Sequence, residues 1–255
     1  GNLIYADNKT VVTKNGFFSP LWPAPKNISA VFSEKFSEIP ELLDCLQTNN
    51  STSLNERQLI QSSEQKFCQH LRLPSPPVWI HQVHQATIKR FPAKEKPILA
   101  DGCVTSERNT LCAVSVADCL PILLTCRKGK EVAAVHAGWR GLLAGVVQNA
   151  LLSFHAPPEE IIVWIGPHIS QIHYPIGESL RQRFIALNSS NHACFKLIDE
   201  KWHLNLALYA TMQLEMLGVS EIYTDERCTF DNTQKFFSHR RGDSAGRMAA
   251  IIWIN

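Results

Sequence analysis

A mixed α/β domain is the fold class this sequence predicts, and three observations predict it. Short apolar runs of strand length recur along the chain, helical periodicity appears in two stretches between them, and no Pro/Gly-rich linker, internal repeat or low-complexity tract divides the 255 residues. The runs cover 78–83, 111–116, 121–125, 132–135, 161–165, 221–224 and 248–254. They are rich in branched and aromatic residues with Gly, Pro, Asp or Asn close by, so each is read as a strand. The first helix is predicted from Leu142, Leu143, Val146, Val147, Ala150, Leu151 and Phe154, whose three- and four-residue spacing makes one apolar stripe. A second begins at Asn205 as N-cap, continues through Leu206, Tyr209, Gln213 and Leu217, and stops at Gly218. The more polar stretch 33–71 contains Gln-Thr-Asn-Asn-Ser-Thr-Ser and is expected to hold one or two helices around a mobile loop.

Composition narrows the function classes. With 25 basic and 23 acidic residues spread along the chain and a net charge of +2, the electrostatic footprint of a nucleic-acid binder is missing. The apolar runs fall short of the ~20 residues of a membrane span, so no membrane role is expected. Eight cysteines are scattered, several inside apolar runs, and no secretory leader pattern is read ahead of them. The expectation is reduced thiols in a cytoplasmic protein. Cys45, Cys68, Cys103, Cys112, Cys126 and Cys194 are assigned to the core, while Cys228 in Arg-Cys-Thr stays undecided. Cationic residues concentrate once, at Arg240, Arg241 and Arg247 in Ser-His-Arg-Arg-Gly-Asp-Ser-Ala-Gly-Arg, a stretch suited to one small anion.

Three residues of metal-ligand type fall where apolar runs meet loops: His84 in His-Gln-Val-His, Cys119 in Ala-Asp-Cys-Leu-Pro, and His136 in Val-His-Ala-Gly-Trp-Arg-Gly. Their separations, 35 and 17 residues, are too wide for a zinc-finger knuckle. They suit a catalytic metal site, with three protein ligands and a fourth position for water or substrate. In a regular strand His81 and His84 point to opposite faces, so only one can be a ligand, and His84 lies where the loop begins. His136 ends a strand and stands near the N-terminus of the helix that starts around Gly141, a place that favours anions. Asp118 is a candidate acid/base or an orienting partner of the metal ligands. Arg140, Arg240, Arg241 and Arg247 are candidate phosphate forks. The same residues also allow a metal-independent cysteine hydrolase, with Cys119 as nucleophile and His136 as base. A single copper bound by two His and one Cys, and a non-catalytic zinc-stabilised module, are further alternatives.

Six segments together resemble the YfiH or laccase-domain family of purine nucleoside phosphorylases, sometimes labelled polyphenol oxidases. They are Trp-Ile-His-Gln-Val-His, Ala-Asp-Gly-Cys-Val-Thr, Val-Ala-Asp-Cys-Leu-Pro-Ile-Leu-Leu, Ala-Ala-Val-His-Ala-Gly-Trp-Arg-Gly-Leu, Trp-Ile-Gly-Pro-His-Ile and Phe-Phe-Ser-His-Arg-Arg-Gly-Asp-Ser-Ala-Gly-Arg. The resemblance implies a single domain over 1–255, a four-layer α/β/β/α sandwich with mixed sheets, and a divergent portion over about 1–75. It also implies zinc rather than copper at His84, Cys119 and His136, with Asp118, Cys119 and His136 as the catalytic set. Arg140, Arg240, Arg241, Arg247 and His168 would then lie around substrate and phosphate. The implied chemistry is phosphorolysis of adenosine, inosine, guanosine or methylthioadenosine, with adenosine deamination as a second activity. The chain departs from the family pattern at Gln85, at Pro175-Ile176 and at His239.

Overall fold

The computed structural model describes residues 16–35, 54–243 and 246–255. Along the chain lie β1 (Phe17–Phe18), β2 (Ile28–Ser33), α1 (Leu54–Leu71), β3 (Val78–Trp79), β4 (Ile88–Arg90), β5 (Gly102–Thr105) and β6 (Cys112–Val116). There follow β7 (Leu120–Cys126), β8 (Val132–Ala137), α2 (Trp139–Ala144), α3 (Val146–Ser153) and β9 (Ile161–Ile165). The last third holds β10 (Pro175–Ile176), α4 (Glu178–Leu187), β11 (Phe195–Ile198), β12 (Lys201–Leu204), α5 (Leu206–Met216), β13 (Glu221–Thr224) and β14 (Met248–Ile254).

Alternation along the buried strands sorts these elements into layers. In β14, Met248, Ala250, Ile252 and Ile254 join one core cluster, while Ala249, Ile251 and Trp253 join another. A strand buried on both faces reads as a continuous apolar run for this reason. The first set meets Leu123, Val132, Ala134 and Trp164 from β7, β8 and β9, which makes the interior between two sheets. The second set meets Phe67 and Leu71 of α1. On the far face of β7, β8 and β9, Ile122, Val135 and Val163 pack against Leu142, Val147 and Leu151 of α2 and α3 and Tyr209 and Leu214 of α5. The order of layers is therefore α1, a five-stranded sheet (β1-β2-β14-β6-β3), a six-stranded sheet (β13-β9-β7-β8-β5-β4), and the remaining helices. This is the expected four-layer α/β/β/α sandwich. A small three-stranded sheet, β10-β12-β11, sits beside it. Both large sheets are mixed: β3 with β6, β4 with β5 and β9 with β13 run parallel, and most other neighbours are antiparallel.

The predicted strands at 161–165, 221–224 and 248–254 have the same bounds in the structure. Two expectations are corrected. The single helix expected through Leu142 to Phe154 is two, because Gly145 between α2 and α3 takes φ +92°, a left-handed conformation that ends one helix and starts the next. Both pieces still bury the predicted stripe. The strand expected at 78–83 stops at Trp79, after which the chain makes only a bridge from His81 to Leu99. Asn205 does cap its helix, its side chain accepting from Leu208 N–H at 2.9 Å, and Gly218 follows the helix with φ +100°. Of the polar stretch 33–71, α1 is one helix; the loop expected around 47–53 and Cys45 lie outside the described residues. Among the described residues no helix is long and apolar enough to cross a membrane.

Candidate metal and substrate site

Asp101 organises one end of the sandwich. It precedes β5, which pairs antiparallel with β8, so its backbone carbonyl accepts from His136 N–H at 2.7 Å. Its carboxylate is fully buried. Oδ1 accepts from His136 Nδ1–H at 3.0 Å and from His84 N–H at 2.9 Å, while Oδ2 accepts from Gln85 N–H at 2.8 Å and Val83 N–H at 3.3 Å. Three consecutive amides closing on one carboxylate curl the chain after β3 and hold His84 at φ +58°. Burial pulls the Asp101 carboxyl upward, but the His136 N–H and the Gln85 and His84 amides outweigh it and keep it below the ordinary range. His84 thus faces the cavity because a buried anion folds the loop, and not by the alternation of a regular strand, which ends at Trp79.

The rings of His84 and His136 stand 5.1 Å apart and nearly perpendicular, at 85°. Since Nδ1 of His136 donates to Asp101, its Nε2 is left for the cavity, the arrangement that orients a metal-binding imidazole. Cys119 lies in the turn between β6 and β7, directly after Asp118, whose φ is +105°. Gly138, the N-cap of α2, passes so close that an added Cβ would lie 3.0 Å from the Cys119 sulfur. Burial would lower the His136 imidazole, but the neighbouring Cys119 sulfur and the Asp101 carboxylate outweigh it and raise it to about 9. His84 is shifted the other way, first by burial and then by the His136 charge, which favours the neutral ring a ligand needs. Two imidazole nitrogens and one sulfur, one imidazole braced by a carboxylate, fit zinc by donor chemistry.

These donors share a cavity of about 530 Å³ with Asp118, Arg140, Arg240 and Arg247. The Arg140 guanidinium lies 4.3 Å over the Trp139 ring and that of Arg240 lies 5.1 Å over Tyr174. Asp118 is buried, and each of its oxygens accepts one hydrogen bond: Oδ1 from Thr229 Oγ1–H and Oδ2 from Arg240 N–H, each at 2.7 Å. The two other sequence-predicted residues are placed elsewhere. Arg241 donates to the carbonyls of Thr229, Phe230 and Phe236 and to Asp243, so its guanidinium ties the loop together. His168 is buried and donates from Nδ1 to Gly166 O at 2.8 Å; neither residue lines the cavity. Sequence reasoning missed Asp101, Gln82, Trp139, Tyr174 and His239. Gln82 caps the edge that β3 vacates, accepting from Ser115 N–H and donating to Ser115 O. A carboxylate just before a buried strand was the one available signal for Asp101.

The close approach at Gly138 gives a test of the sulfur's position. Gly138→Ala is expected to push Cys119 outward and weaken zinc retention about tenfold, the scale on which supporting contacts matter at metal sites. Gly177→Ala, whose added Cβ meets nothing within 4 Å, serves as control and should hold the metal normally. Equal retention in the two variants, measured by zinc titration against a competing chelator, counts against Cys119 as a ligand.

The four-layer α/β/β/α fold thus gathers imidazole, thiol and guanidinium groups from loops, strand ends and α2 around one concave, partly apolar cavity. The chain belongs to the laccase-domain (YfiH) family: residues 45–255 match the family model described as multi-copper polyphenol oxidoreductase laccase. It is similar to the purine nucleoside phosphorylase of Haemophilus influenzae, 35% identical over 240 residues that cover 92% of this chain and 98% of that one. It is also similar to the purine nucleoside phosphorylase YfiH of Escherichia coli, 35% identical over 239 residues, 92% and 97% of the two chains. Among solved structures, the Neisseria meningitidis protein NMB0706 of family DUF152 superposes with a TM-score of 0.81 at 28% identity, covering 94% of this chain and 99% of that one. YlmD from Geobacillus stearothermophilus shares the fold, with a TM-score of 0.78, 23% identity and coverage of 96% and 98%.

Proposed function

We propose that this chain is a zinc-dependent purine nucleoside phosphorylase. The observation that carries the reading is that Arg140, Arg240 and Arg247 share one cavity with His84, Cys119 and His136. In phosphorolysis an oxygen of inorganic phosphate bonds to C1′ of the ribose. The bond from C1′ to the purine nitrogen breaks, and its electron pair leaves with the base, which takes up a proton. Guanidiniums suit the first task, because they hold a phosphate by paired, charge-assisted hydrogen bonds against the sugar. Asp118 lines the cavity, and each of its oxygens accepts one hydrogen bond and keeps a lone pair, so it can exchange a proton with the base while holding the Arg240 backbone and the Cys119 turn. Tyr174 and Trp139 give the wall aromatic surface on which a purine can rest.

His84, Cys119 and His136 are the residues proposed to hold zinc, which when bound supplies a fixed positive charge and Lewis-acid polarisation of an oxygen in the cavity. Multi-copper chemistry uses several ions, and this wall offers the imidazoles of His84, His136 and His239 with one thiol, a set better matched to one zinc. Adenosine, inosine, guanosine and methylthioadenosine are the candidate nucleosides, and adenosine deamination is the proposed side activity. A second reading keeps one specific observation in its favour. Cys119, His136 and Asp101 form the sequence of nucleophile, base and orienting carboxylate that activates a cysteine.

The phosphate site is tested by releasing adenine and inosine from adenosine across a phosphate titration. Arg247→Ala is expected to raise the phosphate requirement by about tenfold or more, the cost of one charged hydrogen-bonding group, and to leave the nucleoside requirement nearly unchanged. Arg241→Ala should instead lower stability, because three carbonyls and Asp243 lose their donor. If Arg247→Ala depresses both product channels equally with no change in phosphate dependence, the anion site is misplaced.

A further inference from the structure

Cys228, undecided in sequence, has two donors beside it in the fold. Among the described residues His173, Cys228 and Asp231 bring an imidazole nitrogen, a sulfur and a carboxylate oxygen within 4.8 Å of one another. The donors of His84, Cys119 and His136 are spaced more widely. From this second cluster we infer that the chain carries another metal site, distinct from the catalytic cavity, which takes one zinc-class divalent ion through His173, Cys228 and Asp231.

Three features prepare these donors. Cys228 and Asp231 have two residues between them, the spacing by which one turn presents two ligands to one ion. That turn is closed by Asn232, which donates to Cys228 O from its backbone at 3.1 Å and from its side chain at 2.9 Å. His173, at the end of the short 3-10 turn Gln171–His173, stacks at 4.3 Å and 24° on Phe230, which lies between Cys228 and Asp231, so its ring plane is fixed beside both. Cys228 Sγ accepts from Ser170 N–H at 3.3 Å and Ser170 Oγ–H at 3.1 Å, which fixes the position of the sulfur.

Charge and access fit a cation. His173 Nε2 and Asp231 Oδ1 lie 2.7 Å apart, and an ion bound there takes the place of the protons that these donors and the Cys228 sulfur hold, which leave to solvent. The Cys228 end is buried and the Asp231 side chain is 56% exposed, so an ion can enter from the carboxylate side and keep a fourth position open to water. One nitrogen, one sulfur and one oxygen donor match zinc, which accepts all three, and are too soft a set for magnesium or calcium.

The test titrates metal-stripped protein with Zn²⁺ against a chromophoric chelator. The parent is expected to take up about two ions per chain, and a variant with His84→Ala and Cys119→Ala about one, at the three-donor site that remains. Adding Cys228→Ala to that variant should abolish uptake, and Co²⁺ in place of Zn²⁺ should show thiolate charge-transfer absorption that the same change removes. Should Cys228→Ala fail to fold, Asp231→Asn on the surface should weaken uptake at this site about tenfold. A variant with His84→Ala and Cys119→Ala that takes up no ion, or uptake indifferent to both Cys228→Ala and Asp231→Asn, overturns the inference.

Discussion

Asp101→Ala is expected to remove about 3 kcal/mol of stability and, with it, the metal. Removing one partner of a buried charge-bearing network typically costs 3–5 kcal/mol, because the groups left behind stay desolvated without a partner. Here the orphans are the His136 Nδ1–H and the amides of Val83, His84 and Gln85. In a chain of this size the melting temperature should fall by roughly 6–12 °C. The structural part of the claim separates from the metal part in one comparison. Asp118→Ala strands only the Thr229 hydroxyl and the Arg240 amide, so it should retain zinc and disturb phosphate binding instead. If Asp101→Ala melts with the parent and holds zinc as tightly, the carboxylate is not what presents His84 and His136.

Cys119→Ala and His84→Ala should each reduce phosphorolysis by at least about a thousandfold, since an electrostatic contribution of about 4 kcal/mol at the reacting centre is lost with the ion. His81→Ala should not: His81 has its backbone in the bridge to Leu99 and is absent from the cavity wall. Zinc content and stability of the three variants are measured beside activity. Loss of zinc from His81→Ala with retention in His84→Ala would reverse the ligand assignment.

The parts of the fold legible in the sequence are those that periodicity encodes. Residues 161–165 and 248–254 are buried on both faces, so their apolar runs coincide with their strands. The stripe from Leu142 to Phe154 was legible as a buried surface, but the break at Gly145 was not, because a glycine inside a helical pattern does not announce a left-handed φ. Among the site residues, His136 and Cys119 sit at strand ends and could be read from the runs beside them. Asp101 could not be assigned a role, since its partners come from a loop some sixteen residues upstream and a strand thirty-five downstream. Arg240 and Arg241 are neighbours in the chain with opposite fates: one lines the cavity over Tyr174, the other turns back onto three carbonyls. Loop direction of that kind follows from hydrogen bonds between distant segments and leaves no periodic trace in the sequence.

The most direct measurement is a product assay on protein stripped of metal and then reloaded with zinc, using adenosine as substrate with and without phosphate. Adenine should appear only when zinc and phosphate are both present, accompanied by ribose 1-phosphate, and Cys119 should stay unmodified throughout. Full turnover in zinc-free protein, together with a covalent adduct on Cys119, would contradict the account and assign Cys119, His136 and Asp101 to nucleophilic catalysis instead.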